Sequence, residues 1–181
     1  MKILDFNSDF TTVKDLCNLT IGVFDGLHLG HQLILKKLNK KNGLSLVLTF
    51  ENNPIDILQP EKKVSLIYNL DKKLDLLKSF DIDIVVLIKF SHEFASLSYD
   101  KFFNILTHKF AFEYLIVGDD IRIGKNRAAD RYKIKSLENI LNFKTEFIKK
   151  VRHENKIISS TWIRQLILEK NYLLANKLLN R

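Results

Sequence analysis

The sequence predicts an α/β fold built on a doubly wound parallel sheet. Three observations lead there. Short apolar runs alternate with amphipathic stretches along most of the 181 residues. The runs LTIGVF, LSLVLTF, DIVVLIKF and FEYLIVG are almost continuously apolar, which suits strands covered on both faces. The unusual polar residues gather after these runs, where parallel sheets place their ligand sites, while the segments leading into them are plainer.

Each element follows from its own pattern. Residues 19–24 form the first strand. Residues 29–41 form a helix, with apolar positions 33, 34, 35 and 38 set against lysines and Gly43 as its stop. Residues 44–50 are the second strand, and ENNPIDILQP, which holds both prolines, is a loop. Ser65 caps a helix over residues 65–80, whose stripe is Leu66, Ile67, Leu70, Leu74 and Leu77. Residues 83–90 are a third strand, 99–110 a helix carrying Phe102, Phe103, Ile105 and Leu106, and 112–118 a fourth strand. The segment 119–130 is too polar for a core. Residues 131–142 are helical, 144–151 extended, and 160–180 helical with a break near Asn171.

Composition narrows the class. The length suits one domain over residues 1–181. No run of about 18 apolar residues predicts a membrane helix, and the first residues lack the apolar core of a signal peptide. The single cysteine, Cys17, cannot form an internal disulfide, which fits a reducing, cytoplasmic setting. The net charge of +8 favours anionic partners. The lysines are scattered in pairs, however, and no arginine-rich or aromatic-basic segment points to nucleic acid.

Two motifs carry the chemistry. In GVFDGLHLGH, Asp25-Gly26 turns the chain off the first strand, and Gly30 clears the start of the next helix. His28 and His31 are spaced to project from one face of its first turn, beside free backbone N–H groups. Imidazoles there can donate to phosphate oxygens, and a protonated one would neutralise charge building on phosphorus. There is no GxxxxGK[ST] loop. Zinc would need a third ligand at suitable spacing, and none is present. The second motif, ISSTWIR, sets Ser159, Ser160 and Thr161 at a helix N-terminus with Arg164 one turn in. One hydroxyl suffices for a cap; three with an arginine make a second anion site.

These segments resemble a known family. Residues 22–31 are similar to the G-x-F-D-G-x-H-x-G-H signature of the bacterial FAD synthetases, and residues 158–164 to their ISSTxIR motif. Residues 49–54 resemble the TFEPHP segment. Residues 117–124 resemble VGxDFxFG, with Arg127 and Asp130 continuing a G-x-x-R-x-x-D pattern. The resemblance implies a Rossmann-like sheet of the HxGH nucleotidyltransferase type. It implies transfer of AMP from ATP to FMN, giving FAD and pyrophosphate, with Mg²⁺ bridging phosphates. Most bacterial members continue into a riboflavin kinase domain. The expectation here is a single FMN adenylyltransferase domain over 1–181 with no riboflavin kinase domain, either naturally alone or with the kinase half removed. FMN would then have to be supplied, a separate riboflavin kinase being one source. Its partners would be nucleotides and flavin, with neither nucleic acid nor membrane.

By the same resemblance His28, His31 and Arg164 are the catalytic candidates. Gly22, Phe24, Asp25, Gly26, Gly30, Asp120, Ser159, Ser160 and Thr161 are nucleotide-binding candidates. Asn53, Arg122 and Arg127 are flavin-binding candidates, and Asp120 is the candidate metal carboxylate, with Asp25 as its alternative. The chemistry would be direct in-line attack of the FMN phosphate on the α-phosphorus of ATP, helped by positioning and charge. Asn52 and Asn53 stand where the family has Pro-His, and Ile121 and Ile123 where it has phenylalanines. Isoleucine cannot stack on a flavin or adenine ring. Those departures keep open a related adenylyl- or cytidylyltransferase with another phosphate acceptor, or a nucleotide- or flavin-binding module with little activity.

Overall fold

A computed structural model of the chain describes residues 1–8, 11–62 and 64–181. In chain order its elements are β1 (Lys2–Asp5), β2 (Val13–Ile21), α1 (Leu29–Leu38), β3 (Leu44–Phe50), α2 (Pro54–Leu58), α3 (Leu70–Lys78), β4 (Ile84–Ile88), α4 (His92–Ala95), α5 (Tyr99–Lys109), β5 (Phe110–Gly118), α6 (Arg131–Leu141), β6 (Lys144–Ile148), a hairpin of β7 (Arg152–His153) and β8 (Lys156–Ile157), then α7 (Ser160–Leu168) and α8 (Tyr172–Leu179). The main sheet has six strands in the order β1-β4-β3-β2-β5-β6, and every pairing in it is parallel.

Both faces of this sheet are covered, as the apolar runs require. On β3, Leu46 and Leu48 face a core shared with Phe102, Phe103 and Leu106 of α5 and Ile134 of α6. Val47, between them, faces the other core, with Leu35 and Leu38 of α1 and Leu77 of α3. That is the period-two alternation of a strand buried on both sides. The chain winds outward from β2 to β3 and β4, then crosses back to place β5 on the other side of β2. A topological switch point therefore lies between the carboxyl ends of β2 and β5. A third cluster, built from Ile158, Ile163, Leu166, Leu178 and Leu179, packs α7 and α8 together and takes in Leu29 and Ile67 beside this end of the sheet.

Several elements differ from the sequence reading. The helix α2 (Pro54–Leu58) forms inside the segment read as a loop, with Asn53 as its cap and Pro54 in its first turn. The last strand of the sheet, read over 144–151, ends at Ile148. The first predicted strand, 19–24, begins earlier and ends at Ile21, because Phe24 takes a left-handed conformation with φ +52° as the chain turns away. The edge strand β1 was not expected; it is short and mostly exposed, so it carries no apolar signature. The helix expected over 65–80 starts at Leu70, capped by Asn69 rather than Ser65. Upstream, the Ile67 N–H donates instead to Asp25 Oδ1 at 2.9 Å, and that tertiary bond holds the segment out of the helix.

Candidate functional site

A cleft of about 380 Å³ opens at the switch point. Gly22 at the end of β2, Gly118, Asp120 and Ile121 after β5, and Lys149 and Lys150 after β6 form its floor and one side. Two helix N-termini close the rest: α1, through His28, Gly30 and His31, and α7, through Ser159, Ser160 and Thr161. The volume falls in the range of small-molecule sites, ~300–1,000 Å³. Both helix dipoles present their positive ends to it.

The histidine pair is arranged differently from the simple helical spacing. His28 is not in the helix; it is the N-cap of α1, its Nδ1 accepting the Gly30 N–H at 3.2 Å. Its ring then stacks on that of His31, with centroids 3.8 Å apart and planes 18° from parallel. A Cβ at position 30 would come within 3.1 Å of the His28 ring, so the glycine makes room for the stack. Phe24 packs edge-on against His31. Burial pushes the His28 pKa down to about 4, and burial with the neighbouring His28 holds His31 well below the ordinary histidine range. Both rings are therefore neutral at neutral pH, so of the two roles open to them from the sequence they supply hydrogen-bond donors rather than charge. With Nδ1 of His28 accepting, its proton sits on Nε2, a donor.

These shifts predict a pH dependence. The folded pKa of His28 lies below the 6.5 of an ordinary histidine, so the unfolded chain binds more protons between about pH 6.5 and about pH 4. Stability should fall as pH drops through that window, by on the order of 1–3 kcal/mol from His28 alone. Urea midpoints measured down the window should decline, and His28→Gln should flatten the decline. A flat wild-type profile would show that the rings are not held neutral.

Asp25, just outside the cleft lining, is a hub of contacts behind the first turn. It is 6% exposed. Its Oδ1 accepts from Ile67 N, its Oδ2 from Arg164 Nη1 at 2.6 Å, and its carbonyl from Ser160 Oγ at 2.8 Å. Gly26 follows with φ +77°, and a Cβ there would meet Ile67 at 2.8 Å. Asp25, Gly26 and Arg164 thus join the first turn to α7. Arg164 also donates to Thr161 Oγ1 at 3.3 Å, and Ser159 caps α7 by accepting from Trp162 N. Asp25 and Arg164 are thus paired with each other, and neither lines the cleft.

The remaining candidates separate. Asp120 lies in the cleft but is paired with Lys150 at 2.7 Å. Asn53 is buried and caps α2, in a small hollow next to the cleft lined also by Asp25 and Lys73. Asn52 ties to both the N–H and the carbonyl of Phe90. Ile121 lines the cleft, whereas Ile123 is buried and bridges to Ala129 in a tight loop. Arg122 and Arg127 are exposed on that loop, Arg127 with φ +57°, and neither lines the cleft. Asp130 caps α6 through the N–H groups of Tyr132 and Lys133. Burial, with the charge of Asp15, pushes the Cys17 thiol up to about 12, so it is no nucleophile. No group of three or more His, Cys, Asp or Glu among the described residues could hold a metal ion.

Three residues went unnoticed in the sequence. Gln32 is buried and donates to the carbonyls of Leu27 and Leu179, tying α1 to α8. Lys150 reaches the cleft from the end of β6. Lys73 is buried beneath the first turn. It falls on the Leu70-Leu74-Leu77 stripe of α3, and a lysine on an apolar stripe was the signal available.

An open parallel sheet with two helix N-termini and a stacked histidine pair over its switch point has the architecture of the HxGH nucleotidyltransferases. The sequence profile of the FAD synthetase family matches residues 10–162, and the chain belongs to that family. A bifunctional riboflavin kinase/FMN adenylyltransferase of Buchnera aphidicola from Schizaphis graminum is 37% identical over the whole of this chain and 60% of its own length. The chain thus spans between 53% and 60% of the length of such curated relatives. Among solved structures, a macrolide-efflux protein from Streptococcus pneumoniae superposes with a TM-score of 0.86 at 26% identity, over 99% of this chain and 62% of that one. A pantoate-beta-alanine ligase from Francisella tularensis shares the fold, with a TM-score of 0.61 at 17% identity over 100% and 78% of the two chains. No helix among the described residues is long and apolar enough to cross a membrane.

Proposed function

We propose that the chain transfers AMP from ATP to FMN, forming FAD and releasing pyrophosphate. The observation that carries this reading is the convergence of the two helix N-termini and the His28–His31 stack on one cleft. The family match and the relative's name support the choice of substrates. The FMN phosphate oxygen bonds to the α-phosphorus as the bond to the pyrophosphate oxygen breaks. No covalent enzyme intermediate is needed, so the protein's work is positioning and charge.

His28 Nε2 donates to the transferring phosphoryl group, and the N-terminal amides of α1 and α7 hold the flanking phosphates. The neutral histidines supply donors but no charge. The cations lining the cleft are Lys149 and Lys150, and they balance the triphosphate. Magnesium would arrive on the nucleotide phosphates, with Asp120 as the cleft carboxylate beside it. Asn53, which lines the small hollow under the first turn, is the candidate on the flavin side, whereas Arg122 and Arg127 bind flavin only if their loop folds inward. A cytoplasmic setting, with FMN made by a riboflavin kinase, completes the reading.

Incubation of the purified protein with ATP, Mg²⁺ and FMN, followed by chromatography, tests it. FAD should appear; ATP binding without FAD would move the acceptor elsewhere, to another phosphate. Lys150→Ala should raise the KM for ATP by about tenfold, with the loss shrinking at high salt. An unchanged KM would remove Lys150 from the triphosphate.

A further inference from the structure

We propose that Lys73 is a positioning residue of the cleft: its buried ammonium clamps the carboxyl ends of β2 and β3 together and thereby sets where the Phe24-Asp25 turn and Asn53 stand. The proposal rests on the reaction proposed above for its activity measurements.

The geometry is specific. Lys73 is 8% exposed although it carries a charge. Its Nζ donates to Phe50 O at 2.7 Å, to Thr49 Oγ1 at 3.2 Å and to Val23 O at 3.5 Å. Thr49 Oγ1 in turn donates to Val23 O at 3.2 Å, closing a small ring of bonds. Gly22 N still donates to Leu48 O; past that rung the two strands part, and their carbonyls turn to the ammonium. Three acceptors at one point call for three donors on a slender stem, which lysine alone supplies.

Position gives the clamp its consequence. Val23 immediately precedes Phe24 and Asp25, so it leads into the hub that holds Arg164, Ile67 and Ser160 and then into the His28 cap. Phe50 leads into Asn52 and Asn53. Lys73 therefore fixes, from one atom, the turn that leads into the cleft's histidine cap and the 50–54 loop that lines the adjoining small hollow. A clamp made only for stability would be cheaper as an apolar side chain, since a buried charge is costly even when paired. Burial presses the lysine pKa down to about 8, with the charge of Asp25 pulling it back up. Asp25, Glu51 and Tyr68 line the same hollow, and Arg164 offsets Asp25.

The test compares Lys73→Met and Lys73→Arg with wild type by steady-state FAD formation, thermal unfolding and amide hydrogen exchange. Lys73→Met should lower kcat about 10²-fold, as a misplaced site does, with KM for ATP changed much less. Exchange across residues 22–28 and 50–54 should quicken by about tenfold relative to the core strands. Wild-type kcat should fall as pH rises past about 8, where the clamp loses its charge, and Lys73→Arg should keep its rate there. A Met variant that melts earlier but retains kcat and the alkaline limb makes Lys73 structural only and overturns the proposal. If the Met variant does not fold, an alkaline limb unmoved in Lys73→Arg overturns it. If wild type forms no FAD, the reaction assignment fails, and unchanged exchange in the two loops is then the result that sinks the clamp.

Discussion

His28→Ala is expected to lower FAD formation about 10²-fold while the chain stays folded. His28 sits in the cleft with Nδ1 committed to Gly30 N and its proton on Nε2. A donor held rigidly by ring stacking costs no reorganisation when negative charge gathers on the transferring phosphoryl group. Alanine removes that donor and the helix cap together. The lost cap costs about 1 kcal/mol, too little to unfold a domain with cores on both sheet faces. Steady-state kinetics beside a melting curve separate the two effects. A variant with wild-type turnover would take His28 out of the chemistry. Because the ring is neutral, its loss should leave the salt dependence of ATP binding unchanged, whereas loss of Lys150 should make it shallower.

Asp25→Ala is expected to be the most destabilising single change at the site, by about 3–5 kcal/mol. The carboxylate is 4% exposed and Arg164 is 23% exposed. Removing it leaves a half-buried guanidinium without its partner and the Ile67 N–H without its acceptor. It also loosens the contact between the first turn and α7. Asp25→Asn keeps an acceptor for Ile67 and should lose less. Arg164→Ala should weaken ATP binding by freeing the first turn, with a stability loss beside it. A double-mutant cycle in urea measures the coupling between the two residues. Wild-type stability in Asp25→Ala, with ATP binding lost, would return both residues to the nucleotide site, Arg164 at the phosphates and Asp25 at their metal.

The pattern of apolar runs was enough for the sheet, because strands buried on both faces must be apolar on both faces. It was enough for the site's location as well, since polar residues after parallel strands have one place to go. It was not enough for β1, whose edge position leaves no pattern, or for the start of α3, which is set by a bond from Asp25 some 40 residues away in the chain.

The residue types at the site were legible for the same reason: glycine at positions 26 and 30, the two histidines and the three hydroxyls answer local needs of turn, cap and helix start. Their states were not. Spacing alone cannot tell a helical His28 from a capping one, or a free Arg164 from one bound to Asp25, because both depend on groups distant in sequence. The sequence by itself determined the class of fold, the family and the end of the sheet that carries the cleft. Only the tertiary structure decided that the histidines are neutral, that Arg164 serves Asp25 and that Lys73 lies buried under both loops. Burial and long-range pairing set charge and partner, and neither exists until the chain has folded.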